Sequence, residues 1–171
     1  ISSSWFTAQD VTMDMGQIVI LPSTPVGGVI KEISESITQR DRVASCDWNG
    51  GRSIGEYVYA AQKRPVPGFA NTYETDVPGV GIKLFRDSGA IQVYYPHQLS
   101  FGGGSTVTLI GGRFRIQLIK TAAQTGSGVI APNGRFTTYY FDGDSASRPV
   151  LTSTFKGSGT TVVSPTCEVQ A

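Results

Sequence analysis

Asp76-Val-Pro-Gly-Val-Gly-Ile-Lys-Leu-Phe-Arg-Asp-Ser-Gly-Ala-Ile-Gln-Val-Tyr-Tyr95 is the stretch that decides the fold class. A Pro-Gly turn opens it, and Val80, Ile82 and Leu84 then alternate with Gly and Lys. Period-two alternation places every second side chain on one face of a strand. Arg86-Asp-Ser-Gly89 reads as a hairpin turn, across which Ile91, Val93 and Tyr95 return as the partner strand.

The same signature recurs outward from this hairpin. Met13, Met15, Ile18 and Ile20 suggest a first strand with an irregularity at Gly16, and Val29, Ile33 and Ile37 continue the pattern. Tyr57 and Tyr59 mark another strand. Val107 with Leu109 is expected to pair with Phe114, Ile116 and Leu118 around Gly111-Gly112. Phe136–Phe141, Val150–Phe155 and Thr160–Val163 complete roughly ten strands. Helical periodicity is nearly absent, and turn signals recur too closely for crossover helices. The expected fold is therefore an all-β, mainly antiparallel β-sandwich.

Composition agrees. The chain has 171 residues, enough for one domain with a proper core, and only 16% are charged, below the globular norm of about 25%. Its 21 Gly and 9 Pro suit a sandwich with many turns. A net charge of +1 supplies no global field toward nucleic acid or an anionic membrane, so neither is an expected partner. No apolar run reaches the length of about 18 residues needed for a membrane-spanning helix. The first residues, Ile1-Ser-Ser-Ser-Trp5, lack the basic and apolar regions of a signal peptide.

Catalytic readings find little footing. The single histidine, His97, has no nucleophile elbow around it and is expected in a surface loop. Asp142-Gly-Asp144 resembles part of a calcium loop but lacks the further ligands, so a solvated turn is expected. Gly102-Gly-Gly104 has no Lys-Ser/Thr after it and reads as a flexible turn. No enzyme, cofactor or metal is expected.

The best binding stretch is Cys46-Asp-Trp-Asn-Gly-Gly-Arg52. Trp48 offers an aromatic face, Asp47 and Asn49 read hydroxyls or amides, and Arg52 adds a planar cation. Trp48 packed on the sandwich is the competing reading. Tyr139 and Asp142 are expected to join this site from a neighbouring strand end. Arg113 and Arg115, either side of Phe114, form either a basic strip or an ordinary solvated face. Cys46 and Cys167 do not have a metal or redox spacing, and arithmetic allows them to bond to each other.

Two segments, Asp76-Val-Pro-Gly-Val-Gly-Ile-Lys83 and Val162-Val-Ser-Pro-Thr-Cys-Glu-Val169, resemble the receptor-binding domain of two-domain chaperone–usher pilus adhesins. With Val11-Thr-Met-Asp-Met-Gly16, Val26-Gly-Gly-Val-Ile30 and Gly126-Ser-Gly128, the chain looks similar to the type 3 fimbrial tip adhesins of enterobacteria. That resemblance implies an immunoglobulin-like or jelly-roll-like lectin domain over residues 1–163. Residues 164–171 would be a linker and the first residues of a pilin domain, with the partner of Cys167 lying downstream. It implies export through the periplasm with a chaperone and an usher, an extracellular place at the fimbrium tip, and a role in biofilm growth. The implied ligand is an extracellular-matrix protein, collagen first, with a host glycan as the alternative. In mannose-binding relatives the segment after the matching cysteine helps form the pocket, which reaches Asp47 and Asn49 by position. Ile1 does not match their aromatic first residue.

Overall fold

Alternating apolar residues become strands because each strand can then present one face to a common core and the other to water. The computed structural model describes residues 2–3, 8–37, 42–59, 61–87, 92–108, 112–144, 147–157 and 159–164. The strands run in chain order: β1 Ser2–Ser3, β2 Gln9–Met13, β3 Gln17–Val19, β4 Val29–Ser36, β5 Arg42–Ser45, β6 Gly51–Tyr57, β7 Tyr73–Glu74 and β8 Val80–Asp87. Then follow β9 Gln92–Tyr94, β10 His97–Phe101, β11 Thr106–Thr108, β12 Arg113–Lys120, β13 Gly128–Ile130, β14 Arg135–Phe141, β15 Leu151–Phe155 and β16 Thr160–Val163. One short 3-10 turn, Ala61–Lys63, is the only helical element among the described residues.

Two larger sheets make the sandwich, with strand orders β10-β6-β14-β15-β2 and β4-β12-β8-β7, β9 joining the second through β8. Smaller sheets, β1-β5-β11 and β13-β16-β3, complete it. Among the described residues, pairing is antiparallel except for β2 beside β15 and β3 beside β16. The break between β2 and β3 falls at Gly16, whose φ of 60° suits glycine. On β12, Phe114, Ile116 and Leu118 point inward opposite Arg86, Leu84 and Ile82 of β8. From the facing sheet Tyr57 meets Tyr73 and Tyr95 at centroid distances of 5.6 and 6.4 Å.

Three expectations change. β11 does not turn back onto β12: it pairs with β5, while β12 is central between β4 and β8. Phe114, Ile116 and Leu118 are wholly buried, and a central strand flanked on both edges covers them better than a two-stranded hairpin. Arg86 and Asp87 are still strand rather than turn, so β8 runs further than expected, and the rest of the expected turn lies outside the described residues. His97 is not in a surface loop. It opens β10, where its imidazole lies over the backbone of Gly55; a Cβ on Gly55 would collide with the ring.

Candidate functional site

The strand registers define two ends of the sandwich. β6 starts and β14 and β10 finish at one end, since Gly51 pairs with Phe101 and Ser53 with Phe141. The inward side chains line the two sheets up. Tyr57 lies against Tyr73, which pairs with Ile82, whereas Arg86 sits over Tyr139, which pairs with Gly55. The Gly51 end of one sheet therefore matches the Asp87 end of the other. β16 leaves at the opposite end: Ser164 is bonded to Ser127, and Gly126 donates to the Pro78 carbonyl just before β8 begins.

The Trp48 loop stands at the Gly51 end. Asp47 shapes it twice: its carboxylate accepts from the Asn49 N–H at 2.9 Å and its carbonyl from the Gly50 N–H at 3.1 Å. Such an Asx turn is what a short acid at a loop entry does best. The Asp47 carbonyl also accepts from the Gly104 N–H at 2.9 Å, and the Cys46 N–H donates to the Ser105 carbonyl at 2.8 Å. Two loops far apart in sequence are thereby zipped together. A Cβ at Gly103 would run into the Trp48 carbonyl, and one at Gly50 into that of Phe101.

On this braced turn Trp48 is 86% exposed, the most exposed large hydrophobic among the described residues. Asp47 and Asn49 beside it are exposed too, and so is Arg52 as β6 begins. Asp142 is tied to the same place: its carboxylate accepts from the Arg52 N–H at 3.0 Å, and its own N–H donates to the Arg52 carbonyl at 2.9 Å. Asp47, Trp48, Asn49, Arg52 and Asp142 thus share one surface. It carries a flat aromatic ring, an amide, two carboxylates and a guanidinium, a set suited to binding by stacking and hydrogen bonding.

Tyr139 does not join them. It is 1% exposed because it alternates inward with Phe141, while Tyr140 turns the other way and donates to Glu56 at 3.0 Å. The Arg86 guanidinium lies 4.4 Å above the Tyr139 ring, a cation–π contact inside the sandwich. Arg86 occupies the core face of β8 in line with Val80, Ile82 and Leu84; that extra step of alternation was its only sequence signal.

The other candidate features resolve into structural roles. Arg115 is paired with Asp87 at 3.1 Å and Glu32 at 3.6 Å, and Arg113 donates to the hydroxyls of Ser34 and Ser36. Of the two readings open for this strand, the ordinary solvated face fits better: the Arg115 charge is compensated in place and Arg113 lies along the sheet on serine hydroxyls. Asp144 closes a turn through its N–H to the Phe141 carbonyl and faces Arg148 at 3.6 Å. Among the described residues, no group of His, Cys, Asp and Glu converges as metal ligands would. Cys46 is buried at the base of the Trp48 turn, whereas Cys167 lies outside the described residues, and so does any pairing between them.

Comparison with known proteins places this architecture. The chain matches the MrkD-like receptor binding domain over residues 11–158. It is 32% identical over 164 residues to a fimbria adhesin protein of Klebsiella pneumoniae, covering 95% of this chain and 48% of that protein. The crystal structure of the receptor-binding domain of the plasmid-born adhesin MrkD1P of Klebsiella pneumoniae is similar at a TM-score of 0.78. Its identity is 30%, with 98% of this chain and 99% of that one covered. The CupB6 tip adhesin of Pseudomonas aeruginosa shares the fold alone, at 11% identity and a TM-score of 0.57, over 95% of this chain and 44% of its own. The sandwich with its exposed loop surface is thus a receptor-binding domain of the fimbrial adhesin class. Within that class, the chain belongs to the MrkD-like receptor-binding domain family. Its homologues imply an extracellular, fimbrial location.

Proposed function

We propose that this domain stands at the tip of a fimbrium and attaches it to an extracellular-matrix protein, collagen in particular, through the Trp48 surface. The observation that carries this reading is the exposure of Trp48 on a braced turn, at the end away from the chain's exit. A collagen triple helix is a rod of polyproline-like chains, which a shallow aromatic and Arg-bearing surface suits better than a deep pocket. In this reading the domain is followed by a pilin domain, and a periplasmic chaperone and an usher assemble the protein. Its attachment supports biofilm growth, and adhesion needs neither metal nor catalysis.

A host glycan is the second reading. Asp47 and Asn49 flank the Trp48 ring as the polar neighbours of a sugar stacked on an aromatic would. The purified domain applied to a panel of matrix proteins and to a glycan array separates the two. Saturable binding to collagen, with the array silent, supports the first; binding to a defined glycan family, with collagen silent, replaces it with the second.

A further inference from the structure

Among the described residues, four of the seven large hydrophobic side chains left in solvent lie toward the end opposite Trp48. Val19, Leu21, Val26 and Val29 are 59%, 61%, 50% and 47% exposed. Scattered apolar residues on a surface are ordinary, but a cluster marks an interaction site. The loop that carries Leu21 and Val26 is fastened through its backbone. Gly27 donates to the Lys120 carbonyl at 2.7 Å, the Lys120 N–H donates to Gly28 at 3.0 Å, and the Lys120 ammonium reaches the Thr24 carbonyl at 2.9 Å. Lys120, itself buried, ties the apolar loop to the end of β12.

The cluster adjoins the last strand. Val19 pairs with Val163, and the Ile20 N–H donates to the Val163 carbonyl at 3.1 Å. The chain leaves beside it, because the Ser164 N–H donates to the Ser127 hydroxyl at 2.9 Å. Along the same end lies a cleft of about 480 Å³ with a mixed lining that includes Arg64, Glu74 and Asp76 beside Val77, Pro78 and Thr121. Patch and cleft are joined through Lys120 and Thr121, the latter donating to Gly79 at 2.8 Å.

We propose that this end, with the Val19, Leu21, Val26 and Val29 patch and the adjoining cleft, is the docking face for the domain that follows β16 in the same polypeptide. It rests on the reading above that such a domain follows. Continuity with the exit of β16 argues for this occupant, since whatever follows Ser164 starts beside the patch at a high effective concentration. Size argues for it too: the chain spans only 48% of its fimbria adhesin relative. The face gives that domain an apolar patch beside a polar cleft as its seat and so sets the angle at which the Trp48 surface is held out.

Hydrogen exchange compares the full-length adhesin with the 171-residue chain. Amides of residues 20–28 should exchange at least about tenfold more slowly in the full-length protein. Leu21→Asp and Val26→Asp should abolish the difference without lowering the melting temperature of the 171-residue chain. Equal exchange in the two proteins overturns the proposal. So does protection of the 171-residue chain that grows with concentration, which would assign the face to a second copy. Loss of matrix binding by the 171-residue chain carrying Leu21→Asp would make the patch the receptor surface and also overturn it. Failure of collagen binding with the tenfold protection intact would remove the receptor reading and leave the docking face standing.

Discussion

At the scale of single residues, His97 shows how position alone can invert a side chain's expected chemistry. Both ring nitrogens are buried and no hydrogen bond of good geometry reaches them. Burial first, and then the charge of Arg86, outweigh the Tyr94 backbone and push its pKa down to about 3. Tyr95 meets the ring edge-on at 4.7 Å and Tyr139 lies 5.7 Å away, so the neighbours are aromatic rather than acidic. An unfolded histidine titrates near pH 6.5. Between about pH 6.5 and 3 the unfolded chain therefore binds the proton that the folded chain refuses. Stability contributed by the neutral ring is present above pH 6.5 and is lost as the pH falls through this window. The slope from this group is at most about 1.4 kcal/mol per pH unit. Denaturant melts from pH 7 to pH 4 should show His97→Phe losing less stability on acidification than the parent; equal losses would mean that the ring is solvated in the fold.

Among elements, the pairing of two distant loops matters more than either loop alone. Gly102-Gly-Gly104 reads as a flexible turn, yet its backbone lies against residues 47–50 and two hydrogen bonds fasten the loops. Gly103→Val would force the Trp48 carbonyl aside. A loss of about 1–3 kcal/mol, as for other overpacked sites, is expected in a denaturant melt. Receptor binding should weaken as well, because the turn that presents the ring is displaced. Full stability in Gly103→Val would show the two loops to be independent.

The strands themselves were largely legible in the chain. Val29–Ser36, Val80–Asp87 and Arg113–Lys120 form where alternation places them. Partnership was less legible, because alternation sets which face a residue occupies and not which strand lies beside it. β11 accordingly joins β5 instead of its sequence neighbour β12. Tyr139 eluded the reading for a related reason. In Tyr139-Tyr-Phe141 aromatics occupy both faces, and only the packed sheet shows which of them turn inward. The gathering of Asp47, Trp48, Asn49 and Arg52 followed from their adjacency, whereas the backbone tie from Asp142 to Arg52 depended on β6 pairing with β14.

For the whole molecule, the two ends divide the work. The core between the sheets is continuous from Phe141 to Val80 and keeps the ends rigidly apart. One end presents an aromatic and polar surface on braced loops; the other carries the chain's exit, an apolar patch and a cleft. Trp48→Ala asks whether Trp48 anchors the receptor, with collagen affinity and melting temperature measured on the same preparation. An exposed anchor predicts a loss of about 2 kcal/mol or more in binding, roughly thirtyfold, at an unchanged melting temperature. Undiminished affinity at an unchanged melting temperature would contradict the account and move the receptor surface elsewhere on the domain.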